Sequence, residues 1–220
     1  MLERGGTESS IGIPIAFIES AWRRHTKHSR NKAQEIQSAI IPLFEKYKSS
    51  SPFMGVVLAG VYTEGALNQL KSSGFGVLHF HYDTVIEAFR MYGIDAYFNE
   101  KTSEKEFKKK IDSWQKLSNK LNVGKELIRL NKKEVNIFFD LLTDSICRFI
   151  EQVIILPLFG EESTAITIVE AISILKKYSE KKQEFPLAKY EIIIKYNSGN
   201  KIEASFKNKK DAINFLKIYL

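Results

Sequence analysis

Apolar and polar positions are spread unevenly along this chain. From residue 11 to residue 98, short apolar runs alternate with amphipathic stretches, whereas residues 99 to 133 are dense in charge and poor in large apolar side chains. Phe53-Met-Gly-Val-Val-Leu-Ala-Gly and Gly76-Val-Leu-His-Phe-His are apolar runs punctuated by proline and glycine, the pattern of buried strands. Between them, Thr63 to Gly74 reads as a short helix capped by Thr63 and stopped by Gly74. The same grammar follows the second run, with Asp83 as cap and Gly93 as stop. Strand, helix, strand, helix predicts a parallel βαβ pair with a right-handed crossover.

Upstream, Ile13-Pro-Ile-Ala-Phe-Ile-Glu-Ser reads as a buried strand. The same residues also satisfy a helix over 14–24, with Pro14 at its first position and Ile15, Ile18 and Trp22 on one face, so both assignments stand at this point. Ile36, Ile40, Leu43 and Tyr47 have the spacing of an amphipathic helix beginning near Ala33. Phe107, Ile111 and Trp114 place one docking stripe on an otherwise charged helix over 102–117, and a longer helix is expected from Lys132 to about Ile150.

The tail contains a repeat. Thr167-Ile-Val-Glu-Ala-Ile-Ser-Ile-Leu-Lys-Lys-Tyr matches Asn208-Lys-Lys-Asp-Ala-Ile-Asn-Phe-Leu-Lys-Ile-Tyr at an offset of 41 residues. A capping residue with an acid three positions later places the helix starts at Thr167 and Asn208. Strand-like sequence precedes each copy: Glu151 to Leu158 in the first, a hairpin over 190–206 in the second. Two β-then-α units sharing one sheet follow from this, with a structural or docking role. The expected organisation is therefore α/β: a core over residues 1–98, a charged helical segment over 99–150, and a small α+β part over 151–220.

Composition narrows the class. With 220 residues, 44% of them hydrophobic, the chain can bury a sizeable core. No apolar run approaches the roughly 18 residues of a membrane helix, and the opening residues lack the basic and apolar regions of a secretory signal. A single cysteine, Cys147, excludes an internal disulfide and a cysteine-based zinc site. Together these predict a cytoplasmic protein without a membrane partner. A net charge of +7 adds affinity for polyanions, although lysine-rich surfaces also serve solubility.

Candidate chemistry concentrates in residues 19–35, Glu-Ser-Ala-Trp-Arg-Arg-His-Thr-Lys-His-Ser-Arg-Asn-Lys-Ala-Gln-Glu, where seven of seventeen residues are Lys, Arg or His. Arg23, Arg24, Lys27, His28, Arg30 and Asn31 supply the donors that phosphate oxygens require, and Ser29 and Asn31, just ahead of the helix, add exposed N–H groups to the same anion site. A strand ending at Glu19 and a helix bearing Glu35 would bring two carboxylates together, with Lys27 or Lys32 between them. Two acids and a lysine suffice for metal-dependent phosphodiester hydrolysis, in which Mg²⁺ or Mn²⁺ activates water and the lysine orients the nucleophile or steadies the charged transition state.

The order strand ending in Glu19, basic loop, helix with Gln34 and Glu35, strand, helix, strand resembles the PD-(D/E)XK restriction-endonuclease-like core over residues 8 to 95. The resemblance implies a Mg²⁺-dependent DNA endonuclease with Glu19, Lys32 and Glu35 as catalytic residues, and Glu19, Glu35 and Glu8 as metal ligands. The chain departs from the family pattern in two places. Glu19-Ser-Ala stands where Glu-x-Lys is expected, so the lysine or second acid would move to the helix, as Lys32 or Glu35. The upstream acid has only Glu8 to fill its place, in a segment unlike a strand, as a fragment lacking its first catalytic strand would also show.

Each candidate also has a plainer reading. Glu19 can pair with Arg23 on a helix, His25 and His28 suit a solvated loop, and His79 and His81 alternate on a strand near a ligand-binding edge or within a core. Trp22 and Trp114 have rings that can stack on bases but sit at packing positions, and Cys147 reads as a buried small hydrophobe. A metal-dependent nuclease, or a remnant of one, thus stands beside a second class: a non-catalytic nucleic-acid-binding or regulatory module that grips DNA with residues 22–32 and forms a homodimer or partner interface with its tail. Gly55, Gly60 and Gly65 form no recognised phosphate-loop spacing, which places a small-molecule phosphate enzyme last.

Overall fold

A computed structural model describes residues 1–24, 29–158, 160–179 and 188–220. The chain divides once, into Met1–Ile146 and Cys147–Leu220, so the charged helices that follow residue 99 fall within the first unit. The observed class is α/β, with one mixed and one antiparallel sheet.

In the first unit β1 (Leu2–Arg4), β2 (Ile13–Arg23), β3 (Phe53–Gly60) and β4 (Gly76–His81) form a sheet in that order. The short β1 is antiparallel to β2, while β2, β3 and β4 run parallel. Residues 13–23 are therefore strand, and the helical alternative is overturned. A helix would bury one stripe, but this segment buries both faces, as inner strands of parallel sheets do. Phe17 and Ala21 meet one core and Ile18 meets another. Pro14, which has no N–H to give, stands opposite Glu3 where the ladder shifts register.

Two helices, α1 (Ser29–Lys46) and α2 (Glu64–Ser72), pack side by side on the Phe17 face. Ile36 and Ile40 of α1 and Leu67 and Leu70 of α2 join Val56 and Leu58 there. On the opposite face, Val135 and Phe138 of α6 (Lys132–Ile146) cover Leu78, Val57 and Ile18. Thr63 caps α2 as the sequence predicts, its hydroxyl accepting from the Ala66 N–H at 3.2 Å. Gly74 and Gly93, at φ of +85° and +71°, end α2 and α3 (Tyr82–Arg90), and each is followed by an N–H that reaches back five positions to the last turn, Phe75 to Leu70 and Ile94 to Phe89.

Asp83 does not cap α3. The strand β4 runs straight into the helix at His81, which offers no side-chain cap, and Asp83 lies in the first turn where its charge suits the helix dipole. The charged helix α4 (Glu104–Lys116) begins at a Ser103–Glu106 capping box, and α5 (Leu121–Leu130) follows it. Helix α6 stops at Ile146, four residues earlier than expected, which leaves Cys147 exposed and outside any helix. The expected buried cysteine is thereby corrected.

In the second unit β5 (Ile150–Pro157), β6 (Ser163–Ala165), β7 (Tyr190–Tyr196) and β8 (Lys201–Phe206) form an antiparallel sheet in the order β6-β5-β7-β8, with α7 (Ile168–Lys177) and α8 (Lys209–Lys217) packed on it and on each other. Each repeat is thus strand, strand, helix, because the three-residue β6 is too short to show in the sequence. The repeat holds at the level of atoms. Thr167 and Asn208 accept from the N–H of Glu170 and Asp211, and the matched pairs Ala171 and Ala212, Leu175 and Leu216 are fully buried in one core. Among the described residues no helix is long and apolar enough to cross a membrane.

Candidate nucleic-acid interface

Parallel pairing brings the ends of three strands to one edge. The register places Arg23 beside Gly60 and Gly60 beside His81, so β2, β3 and β4 all finish at the same level. Helices α1 and α2 begin at that edge, which is where open α/β sheets place their ligands. Ser29, the first residue of α1, is only 1% exposed. Its Oγ lies 3.2 Å from Thr63 Oγ1 and accepts the Thr63 N–H at 3.4 Å. One buried hydroxyl therefore ties the N-termini of both helices together and turns two positive dipole ends toward the same space.

Gly60 makes this closure possible. At φ +102° it holds a backbone shape that L side chains rarely adopt, and a Cβ there would stand 1.8 Å from the Arg23 carbonyl oxygen. The same carbonyl accepts the Val61 N–H at 2.7 Å, and the Gly60 carbonyl accepts from His79 Nε2 at 3.0 Å. Donation from Nε2 leaves Nδ1 of a neutral His79 as a lone-pair acceptor. Burial holds the His79 imidazole below its ordinary pKa, and the neighbouring His81 adds to the effect, although the Gly60 bond and Glu64 oppose it and Lys71 reinforces it. The Tyr62 ring meets the His79 ring edge-on at 5.4 Å. Burial raises the Tyr62 phenol, Arg23 opposes that, and Glu35 adds to it.

Three buried polar atoms at this edge have no hydrogen-bond partner among the described residues: Arg23 Nε, Tyr62 Oη and His79 Nδ1. Tyr62 and His79 are each only 8% exposed. Buried polar groups are nearly always paired, and leaving one unpaired costs about 1–3 kcal/mol, so among the described residues this edge concentrates unmet hydrogen-bonding capacity. Charge converges on the same place. Glu35 pairs with Arg23 at 3.6 Å and with Lys32 at 3.3 Å, and the Arg30 guanidinium reaches the first turn of α2, 3.8 Å from where a Gly65 side chain would begin.

The sequence-predicted residues distribute as follows. Arg23, Lys32 and Glu35 form one cluster. Arg30 and Asn31 are exposed on the first turn of α1. Arg24 instead lies over the Phe98 ring, its guanidinium carbon 3.8 Å from the ring centroid. Lys27 and His28, and His25 beside them, lie outside the described residues. Glu19 shares the strand face of Arg23 but stands four residues earlier, roughly 13 Å of extended chain. Glu8 sits in the turn between β1 and β2, at the end of β2 remote from Arg23, so it is not brought to Glu19. Gly60 and Tyr62 carried no signal as single residues. Their position just after a buried parallel strand was the available clue.

The described residues contain no group of three His, Cys, Asp or Glu that could hold a divalent ion. The edge as described is a set of polar donors and cations suited to an oxyanion, with one imidazole acceptor. Comparison with protein-family models, with curated proteins and with solved structures found no match for this chain.

Proposed function

We propose that this chain binds DNA by its phosphodiester backbone at the edge formed by Arg23, Gly60 and His81. The observation that carries the reading is the convergence of Arg23 Nε and Tyr62 Oη, donors without a hydrogen-bond partner among the described residues, on the joined N-termini of α1 and α2. Arg23 and the Tyr62 hydroxyl donate to a phosphate oxygen, the helix ends add N–H groups and a favourable dipole, and Lys32 and Arg30 neutralise the neighbouring phosphates. The net charge of +7 favours a polyanion over a single phosphate.

A second reading is metal-dependent phosphodiester hydrolysis of restriction type. Glu19 favours it: this half-exposed carboxylate lies on the strand face leading to Arg23 and has no hydrogen bond or ion pair among the described residues. The restriction-endonuclease-like core belongs to this reading, since a mixed sheet whose Glu-bearing strand is followed by helix, strand, helix and strand is compatible with that layout. Mg²⁺ or Mn²⁺ at Glu19 and Glu35 would have to displace Glu35 from Arg23 and Lys32.

Incubating supercoiled and linear DNA with the protein in Mg²⁺, Mn²⁺ or chelator, beside Glu19→Ala and Glu35→Ala, separates the two. Binding that persists in chelator without cutting supports the first reading. Metal-dependent cutting abolished by both substitutions establishes the second. Absence of both binding and cutting overturns both.

A further inference from the structure

Trp22 and Arg23 end the same strand and, by the alternation of side chains, face opposite sides of the sheet. Arg23 joins the phosphate cluster, while Trp22 turns to the side covered by α3. There it packs against Tyr82 with ring centroids 5.9 Å apart and still leaves 44% of its surface exposed. Strand β1 pairs with β2 only as far as Ala16, so the outer edge of β2 near Trp22 has no strand beside it among the described residues.

The rings continue from Trp22 in one strip. Tyr82 meets Tyr97 at 6.4 Å, and Tyr97 is 49% exposed. An apolar cleft of about 280 Å³ opens between Trp22, Tyr82, Phe89 and Phe98. Arg24 stacked on Phe98 gives that cleft a cationic rim. This volume lies just below that of small-molecule sites, which run from about 300 Å³ upward, and suits one flat ring system. The neighbouring hollow mixes charges, being lined by Asp83 and Glu87 together with Arg90, whereas among the described residues Arg24 at Phe98 is a lone cation. An anionic strand would therefore keep its phosphates toward Arg23 and Arg24 and offer its apolar rings to the cleft.

We infer that the Trp22–Tyr82–Phe98 cleft stacks an unpaired base of the DNA strand whose phosphate sits at Arg23. Paired bases show only their edges in the grooves, whereas a base freed from its partner offers a face that aromatic rings can stack on. The inference rests on the proposed DNA-binding reading and adds to it a preference for single-stranded or locally opened DNA. A peptide or a second copy of this chain would use the apolar cleft without needing the cationic rim or the phosphate cluster beside it.

Trp114→Phe leaves Trp22 as the sole indole. Titrating that variant with a short oligothymidylate, and separately with a duplex of equal length, reads the cleft directly. The expected result is quenching of Trp22 emission by the single strand, with Trp22→Ala weakening single-strand binding roughly tenfold and leaving duplex binding unchanged. Trp22→Phe, which keeps a ring and guards against a folding defect, should restore most of the affinity. Unaltered single-strand affinity in Trp22→Ala overturns the inference while sparing the DNA-binding reading, and so does equal loss for single strand and duplex. Emission that changes with protein concentration alone points to a second copy in the cleft and also overturns it. If neither DNA binds the unsubstituted protein, the parent reading falls as well.

Discussion

Gly60→Ala should be far more damaging than Gly74→Ala, although both glycines hold positive φ and each ends an element, a strand at Gly60 and a helix at Gly74. At Gly74 the cost is conformational. The residue sits at φ +85° and a Cβ would meet only the flexible end of Met54 at 3.4 Å, so about 1 kcal/mol is expected. At Gly60 three costs add. The φ of +102° contributes about 1–2 kcal/mol. A Cβ 1.8 Å from the Arg23 carbonyl cannot be accommodated by rotating a side chain, so β2 and β3 must separate locally, an overpacking cost of about 1–3 kcal/mol. Displacing that carbonyl weakens the Val61 N–H bond, worth about 1 kcal/mol. The sum is about 3–6 kcal/mol, against about 1 for Gly74→Ala. Urea unfolding followed by far-ultraviolet circular dichroism measures both, with the midpoint compared at constant slope. Equal losses, or a Gly60→Ala cost near 1 kcal/mol, would refute the argument that the strand ends are locked by close backbone approach.

Ser29→Ala removes the buried hydroxyl that joins the two helix starts and should cost about 1–3 kcal/mol in the same assay, with no loss in Thr63→Ser, which keeps the partner hydroxyl. His79 is held neutral by burial, so the unfolded chain takes up its proton first as the pH falls through about 6.5. Stability should therefore decline below that pH until His79 itself titrates, and His79→Gln should flatten this part of the profile, measured by thermal unfolding across pH 5 to 8. Thr167→Ala and Asn208→Ala should each cost about 1 kcal/mol and by similar amounts, because the two caps make the same bond in the two repeats; a large inequality would argue against their equivalence.

What the sequence revealed was local. Thr63, Thr167 and Asn208 are caps because a side-chain oxygen reaches an N–H three residues away, and Gly74 and Gly93 are stops because positive φ is needed there. The alternation of Ile13 to Ser20 left strand and helix both open until partners on two faces decided it. Asp83 had the chemistry of a cap, but the strand before it ran into the helix without a loop. Much of the site lay beyond local reading: Arg23, Ser29, Tyr62 and His79 are spread over more than fifty residues, and only the parallel register and the Ser29–Thr63 bond bring them to one edge. Of the basic run 22–32, Arg23, Arg30 and Lys32 lie near that edge, whereas Arg24 stacks on Phe98 and Glu8 sits at the far end of β2.

Affinity for a fixed DNA, measured by fluorescence anisotropy in chelator across a range of salt, tests the central claim most directly when the protein is compared with Arg23→Gln and Lys32→Gln. The account predicts a steep fall of affinity with salt, and for each substitution weaker binding together with a slope reduced by about one. Slopes and affinities identical in all three proteins would show that the Arg23 edge does not hold the phosphates.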